Sequence, residues 1–132
     1  MVEKDFLKKT ASLIQKAYKF KKERKPGVNA LFECLDSEGL KLRDIYEFGM
    51  KLYIEGVETN NINSVLSNMI SIEQDETARR FKVIQKEAVL SIAEGINSLL
   101  LLQVLFSFLT DDEQDEVKKL LNINEAAIKE LL

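Results

Sequence analysis

The chain has 132 residues, of which 45% are hydrophobic and 31% are charged, and its formal net charge is −3. This length accommodates one compact domain. The absence of histidine excludes a histidine-ligated metal site and removes the side chain that most often carries protons in enzymes. Cys34 is the single cysteine and cannot form an intramolecular disulfide, so a reducing compartment is expected. Composition therefore indicates a soluble globular protein that is not an enzyme.

Positive charge is concentrated at the N-terminus. Residues 1–26 hold nine Lys and Arg against three Asp and Glu, whereas residues 27–132 hold ten against nineteen. The basic cluster consists of Lys16, Lys19, Lys21, Lys22, Arg24 and Lys25. Such a cluster binds nucleic acid, an anionic membrane surface or an acidic partner, or is a solvated helix end whose lysines suit the helix dipole.

The longest apolar stretch, residues 99–109, predicts no membrane span. It is interrupted by Gln103 and Ser107 and falls short of the roughly 20 apolar residues that a spanning helix needs. The first ten residues mix both charges and lack the apolar core of a signal peptide. We expect a cytoplasmic protein.

The first predicted helix covers residues 3–23. Its apolar stripe is formed by Leu7, Ala11, Ile14 and Tyr18, and is widened by Leu13, Ala17 and Phe20. Pro26 and Gly27 end this helix. A short helix over residues 28–36 and a longer one over residues 40–55 follow, the latter with Gly49 where a neighbour can approach closely and Gly56 at its C-terminus.

Helix-capping residues divide the second half of the chain. Thr59 or Asn60 caps the next predicted helix, and a charged helix then covers residues 73–94 and ends at Gly95. Asn97 or Ser98 caps an apolar helix over residues 99–109. Thr110 and Glu113 have the spacing of a capping box, which predicts a helix from there to residue 121. Asn122 and Glu125 have a similar spacing, which predicts the start of the last helix. The prediction is an all-α compact bundle of seven or eight short and medium helices, without strands, forming a single helical domain over residues 1–132.

No pattern of catalytic or ligand-binding residues emerges. The five glycines are scattered, so neither a P-loop nor a dinucleotide-binding loop is predicted. The acidic run over residues 111–116 lacks the alternating ligands and central glycine of a calcium loop, and it suits a helix N-terminus. Cys34 lies in an apolar segment and is interpreted as a small core residue. We predict no catalytic residue, no cofactor and no metal ligand.

Three segments resemble the flagellar motor stator subunit MotA family. Residues 49–66, GMKLYIEGVETNNINSVL, resemble its G-L-x-L-V-V-D-G-x-D-P-x-x-x-x-x-I-L segment. Residues 87–109, EAVLSIAEGINSLLLLQVLFSFL, resemble its E-G-V-L-x-I-x-x-G-x-N-P-x-x-L-x-x-x-L-x-S-F-L tail. Arg24, Gly27, Ala30 and Leu31 are similar to the R-x-x-G-x-x-A-L-E pattern that opens the family's cytoplasmic loop. The resemblance covers residues 24–109 and leaves residues 110–132 as a helical C-terminal extension.

The chain departs from the family where the ion path would lie. In the stator family a pair of transmembrane helices separates the segments that correspond to residues 49–66 and 87–109. Here residues 67–86 join them directly and are mostly polar or charged. The resemblance therefore implies the cytoplasmic parts of a stator subunit closed on themselves, and we expect no ion conduction.

Only part of the family's charged contact is present. The family's loop has an Arg three positions before its Gly and a Glu five positions after it, and these groups are implicated in contact with the rotor switch protein FliG. Arg24 occupies the first position, whereas Phe32 occupies the second and Glu33 lies one place later. In the tail, Ser98 replaces the Pro after Asn97 and leucines fill the next three positions. A more apolar tail suits packing within the domain or against another copy.

The leading hypothesis is a non-catalytic protein-interaction domain that acts in or near the flagellar motor. The residues predicted to contact the partner are Lys21, Lys22, Arg24, Lys25 and Glu33. The expected partners are FliG or other motor components, with no nucleic acid, and the apolar tail helix predicts a homodimer. The alternative is a nucleic-acid-binding protein that uses the basic N-terminal helix, although the acidic remainder of the chain argues against it. An engineered fusion of two natural segments would also give this order of motifs.

Overall fold

A computed structural model describes residues 4–23 and 44–121. These residues form six helices, labelled in chain order α1 (Lys4–Glu23), α2 (Ile45–Ile54), α3 (Thr59–Ser71), α4 (Glu76–Ala93), α5 (Ser98–Phe106) and α6 (Asp111–Leu121). No strand occurs within these two ranges. The all-α prediction is confirmed, and the six observed helices are fewer than the predicted seven or eight. The helix predicted over residues 28–36 and the last one, after Asn122, lie outside the described residues.

The apolar stripe of α1 is the face that this helix buries. The residues of the stripe are buried or half-buried, namely Leu7, Ala11, Ile14 and Tyr18. Phe6 and Thr10 are buried with them although the stripe did not include them. The Thr10 hydroxyl donates a hydrogen bond to the carbonyl of Phe6 at 2.8 Å, so its burial leaves no polar group unsatisfied.

Asp44 and Gly56 set the two ends of α2. The Asp44 carboxylate accepts a hydrogen bond from the N–H of Glu47 at 3.0 Å. At the other end Gly56 has a φ of 87°, and the N–H of Val57 donates to the carbonyl of Leu52 at 3.0 Å. This is the Schellman arrangement that a C-terminal glycine favours. The C-terminus predicted at Gly56 is confirmed. The start predicted near residue 40 is wrong, because the extended N-cap Asp44 places the first residue of the helix at Ile45, and residues 40–43 lie outside the described residues.

The start of α3 differs from its prediction. Its N-cap is Glu58, which has extended backbone angles and makes no side-chain capping hydrogen bond. The prediction that Thr59 or Asn60 caps this helix is wrong, because both residues already belong to its first turn. The turn that follows Gly56 is short, and it leaves Glu58 as the last extended residue before the helix.

The long charged helix α4 begins three residues later than predicted. The Asp75 carboxylate accepts a hydrogen bond from the N–H of Ala78 at 2.8 Å and is the N-cap. The carboxylate of Glu73 in turn accepts from the N–H of Asp75 at 3.1 Å, which holds the preceding residues outside the helix. Gly95, with a φ of 75°, follows the C-terminus as predicted.

The last two helices begin at the predicted caps. Asn97 caps α5 by accepting a hydrogen bond from the N–H of Leu100 at 2.8 Å. At α6 the Thr110 N–H donates to the Glu113 carboxylate at 2.9 Å, and the Glu113 N–H donates to the Thr110 hydroxyl at 3.2 Å. These reciprocal bonds confirm the predicted capping box. The helix predicted to reach residue 109 ends earlier, at Phe106.

The core forms around α4, which packs against α1, α2, α3 and α5. Every helix contributes fully buried side chains to this core, among them Ile14, Ile45, Met50, Ile62, Leu66, Ile84, Leu101, Leu105 and Val117. Because α1 packs against α4, α5 and α6, its solvent face lies opposite the core.

Candidate interaction surface

Most of the residues predicted to contact a partner lie at or beyond the end of α1. Lys21 is in the last turns of this helix and is half-buried. Lys22 also belongs to α1, but its side chain is not among the described ones. Arg24, Lys25 and Glu33 lie outside the described residues. The structure therefore places Lys21 and the backbone of Lys22, and it leaves the rest of the predicted contact untested.

The solvent face of α1 is strongly basic. Its exposed cations are Lys4, Lys8, Lys9, Lys16 and Lys19. Helical spacing places them on one side because the buried stripe occupies the other. Asp5 is the exposed acidic residue of this face, and it forms an ion pair with Lys9 at 3.2 Å. Of the basic cluster noted in the sequence, Lys16 and Lys19 lie on this face, whereas Lys21 is half-buried.

An acidic surface lies at the start of α6, beside α1. Asp111, Asp112, Asp115 and Glu116 are exposed there, and Glu113 is buried. The acidic run therefore occupies a helix N-terminus, where the helix dipole favours carboxylates. No group of three or more acidic, cysteine or histidine side chains suited to a metal ion occurs in the described part of the chain.

Arg80 joins α1, α4 and the start of α6. Its guanidinium forms a bidentate ion pair with Glu113, with one N–O distance of 2.8 Å, and donates to the carbonyl of Phe108 at 2.6 Å. The guanidinium also lies 4.8 Å from the centre of the Phe6 ring. The Arg80 hydrogen bond lowers the pKa of Glu113 to about 2, and the Thr110 hydrogen bonds act in the same direction. The acidic start of α6 is thereby fixed beside the first turns of α1.

A groove of about 340 Å³ lies between α1 and α4 where their surfaces diverge above the packed side chains. The aromatic rings of Phe6 and Phe81 lie along it in an edge-to-face contact, with centroids 6.4 Å apart. Charged side chains of both signs line it, namely Asp5, Lys9, Asp44, Asp75 and Lys82. The Gln85 amide, which is buried, donates to the Asp44 carboxylate at 3.2 Å. The groove therefore combines an aromatic lining with charges of both signs.

Tyr46 lines an adjoining depression of about 290 Å³ beside Leu13 and Lys16. Burial raises the pKa of Tyr46 far above its usual value, and the negative charge of Asp44 adds to this effect. The phenol, which is neutral at pH 7 even at the ordinary pKa of tyrosine, therefore stays neutral to higher pH. It offers a hydroxyl group for hydrogen bonding rather than an anionic base.

The two described segments that resemble the stator family pack against each other. Gly49, at the start of residues 49–66, lies so close to Val89 of residues 87–109 that an added Cβ would meet the Val89 Cγ2 at 2.8 Å. The same Cβ would meet the Leu66 Cδ1, at the end of the first segment, at 3.0 Å. The prediction that Gly49 permits close approach is confirmed. The third resembling segment, from Arg24 to Leu31, lies outside the described residues.

Most of the apolar side chains of the tail helix α5 are buried in the core of the molecule. Leu101, Leu102 and Leu105 are buried, Leu99 is half-buried and Leu100 is 42% exposed. In residues 4–23 and 44–121 no helix combines the length and apolar character needed to cross a membrane.

Comparisons with protein-family models, with curated proteins and with solved structures found no match to this chain. The surface is therefore interpreted from its own residues.

Sequence reasoning missed the residues that organise this surface. Arg80 pairs with Glu113 across 33 positions of sequence, and Gln85 bonds to Asp44 across 41. The capping-box spacing of Thr110 and Glu113 identified one partner of the ion pair. Nothing in the local sequence around Arg80 identified the other, because this contact depends on how the helices pack.

Proposed function

We propose that this chain is a non-catalytic protein-interaction domain related to the cytoplasmic part of a flagellar stator subunit. In this proposal it acts in the cytoplasm, in or near the flagellar motor, and conducts no ions. The observation that carries the proposal is the contact of Gly49 with Val89 and Leu66. This contact joins the two segments that, in the stator family, lie on either side of a pair of transmembrane helices. Their direct packing supports a domain built from the cytoplasmic parts alone.

The partner contact is assigned to the end of α1 and the residues that follow it, through Lys21, Lys22, Arg24, Lys25 and Glu33. The exposed Lys16 and Lys19 support this assignment because they add positive charge in the last turns of α1, close in the chain to these residues. Surface charges of this kind steer the encounter with an oppositely charged partner, and they affect the association rate more than the affinity. The proposed partner is the rotor switch protein FliG or another motor component.

A binding measurement with purified FliG tests this assignment. Replacing Arg24 and Lys25 together with Glu is expected to slow association about tenfold, because it reverses the charge of the predicted contact. A matched control replaces Lys118 and Lys119 with Glu, which reverses two adjacent charges at the end of another helix. The control is expected to bind like the unmodified chain. Equal association rates for both variants would reject the basic cluster as the contact.

The second candidate function is nucleic-acid binding through α1. The row of exposed lysines on this helix is the observation that favours it. The exposed carboxylates of Asp112 and Asp115 on the neighbouring helix weigh against it, since they would repel phosphates. A salt titration against duplex DNA distinguishes the two functions, because phosphate contacts make the affinity fall steeply as salt rises. Our first proposal predicts no measurable DNA binding at physiological salt.

A further inference from the structure

A groove runs between α1 and α2 along the surface of α4. Both helices pack on α4, and they are not closely packed on each other. At one end of this groove Leu13 of α1, Tyr46 of α2 and Phe81 of α4 line the depression of about 290 Å³. At the other end the rings of Phe20 and Tyr53 meet edge to face, with centroids 6.5 Å apart. The numbering rises along both helices between these ends, so α1 and α2 run in the same direction along the groove.

The chain leaves this groove at one end and returns to it at the other. The helix α1 ends at Glu23, one turn beyond Phe20, and Asp44 lines the depression directly before α2 begins. Leu13 and Glu23 lie about 15 Å apart along α1, at 1.5 Å per residue. Residues 24–43 therefore have to run back along the groove over about this distance. This connection is much longer than the roughly two to eight residues that usually join neighbouring helices.

The sequence of this connection carries an apolar stripe that suits the groove. Val28, Leu31, Phe32 and Leu35 recur at the first, fourth, fifth and eighth positions, which is the spacing of anchors on a helix that lies in an apolar groove. The helix predicted over residues 28–36 would be about 14 Å long, close to the distance that the connection has to cover.

We propose that residues 28–36 of this chain occupy the groove as a helix antiparallel to α1 and α2. In this arrangement Val28 lies toward the ring contact of Phe20 and Tyr53, and Leu35 lies toward the depression. The apolar stripe then completes the core between the two helices. The inference is independent of the proposed function, because it concerns only how the chain packs on itself.

Charge and tethering favour this segment over a separate partner as the occupant. The antiparallel direction brings Asp36 to the end of the groove that Lys9 and Lys16 line, so that opposite charges meet. The segment is joined to the groove at both ends, through α1 and through Asp44. Such tethering gives an effective concentration of the order of millimolar, which a separate chain rarely reaches.

Urea denaturation of the full chain tests whether the stripe is packed. Replacing Leu31 and Leu35 together with Ala is expected to lower the denaturation midpoint by about 1 M, because two buried side chains are truncated. Alanine favours helix at least as well as leucine, so a loss reports packing and not helix propensity. Asn29→Ala is the control outside the stripe and is expected to leave the midpoint unchanged.

Disulfide formation tests where the stripe is packed. In a Cys34→Ser background, Leu35→Cys is combined with Ser12→Cys, since Ser12 lines the depression. The matched control combines Leu35→Cys with Gln15→Cys, because Gln15 is exposed about one turn along α1 and does not line the depression. With oxidised glutathione as the oxidant, the intramolecular disulfide is expected to form about tenfold faster with Ser12→Cys. Mass spectrometry of the monomer measures both rates.

An unchanged midpoint for the Leu31 and Leu35 variant would overturn the proposal. Equal rates of intramolecular disulfide formation at positions 12 and 15 would also overturn it, because they would place the stripe outside this groove. A disulfide that joins position 35 of one chain to position 12 of another would assign the groove to a second copy instead.

Discussion

Arg80 on α4 connects α1, the start of α6 and the turn that precedes α6. Its guanidinium bonds to the Glu113 carboxylate and the Phe108 carbonyl, and it lies over the Phe6 ring. The carboxylate of Glu113 also closes the capping box of α6. A single ion pair therefore stabilises both a helix start and the packing of α1 against α4 and α6. Its contribution depends on the charge of Glu113.

Acid is expected to weaken this connection. The pKa of Glu113 is lowered on folding from 4.5 to about 2, so the unfolded chain binds an extra proton between these values. The stability that the pair contributes is fully present above pH 4.5 and is lost as the pH falls toward 2. Replacing Glu113 with Gln preserves the cap but removes the charge, and it is expected to cost about 1–3 kcal/mol at pH 7.

Urea denaturation at several pH values measures this effect. The free energy of unfolding of the Glu113→Gln variant is expected to depend less on pH between 4.5 and 2 than that of the unmodified chain. Glu58→Gln is the matched control, because Glu58 is exposed and its side chain makes no capping hydrogen bond, and its free energy of unfolding at pH 7 is expected to match that of the unmodified chain. Identical pH profiles for the unmodified chain and the Glu113 variant would contradict this account.

Gly49 is required by packing rather than by its backbone conformation. It lies within α2, and an added Cβ would overlap the side chain of Val89 and press on that of Leu66. Gly49→Ala is therefore expected to destabilise the protein by about 1–2 kcal/mol, although alanine favours helix by about 1 kcal/mol. The midpoint of urea denaturation measures the change.

A double-mutant cycle attributes the cost to this contact. Val89→Ala makes room for the new methyl group, so the cost of Gly49→Ala in that background is expected to be smaller by about 1 kcal/mol. Additive costs would show that the overlap with Val89 is not the cause.

At the scale of elements, two turns have the same construction. The turn between α2 and α3 has the sequence Glu-Gly-Val, and the turn between α4 and α5 has Glu-Gly-Ile. In each turn the glycine has a positive φ, and the next N–H donates to the carbonyl five residues earlier. Both helix ends could be predicted because only glycine adopts this conformation without strain. The second glycine and the following Asn97 cap belong to the segment that resembles the stator tail.

The helix starts were less predictable because several polar residues compete for each cap. The helix α4 is capped by Asp75 and not by a residue near 73. The Asp75 N–H donates to the Glu73 carboxylate, which keeps residues 73–75 in a turn, and the Asp75 carboxylate then accepts from the Ala78 N–H. At α3 the position of the preceding turn makes Glu58 the cap even though its side chain makes no capping bond. Capping residues in a sequence identify a helix start to within one turn, and neighbouring turns select the residue.

Proline is expected to be tolerated at position 98, where the tail segment of the stator family has a proline. Ser98 is the first residue of α5, where an N–H has no helical acceptor, and Asn97 before it is extended with ψ of 163°. Ser98→Pro should therefore leave the melting temperature unchanged or slightly raised. Gln103→Pro is the control within the same helix and is expected to lower stability by about 3 kcal/mol. Circular dichroism melts that show equal losses for both variants would contradict the assignment of Ser98 to the first position.

At the scale of the whole molecule, the sequence predicted the all-α class and the basic N-terminal helix, because both depend on local patterns. The burial of Leu7, Ala11 and Ile14 followed from their spacing alone. The sequence did not predict that the acidic start of α6 lies beside α1. This placement depends on the ion pair of Arg80 with Glu113, which are distant in sequence.

The packing of residues 49–66 against residues 87–109 is the observation on which the proposed function rests. The described chain between these segments consists of the end of α3, a short turn and the beginning of α4. These helices continue the same bundle and contribute Ile70 and Ile84 to its core. The two segments therefore belong to one core.

Affinity capture from motile cells tests the central claim most directly. The unmodified chain is expected to recover motor components, FliG among them, as identified by mass spectrometry of the captured proteins. The variant with Glu at Arg24 and Lys25 is expected to lose them, because the positive charge at the end of α1 is reversed. Recovery of no motor component by the unmodified chain, or equal recovery by the variant, would contradict the account.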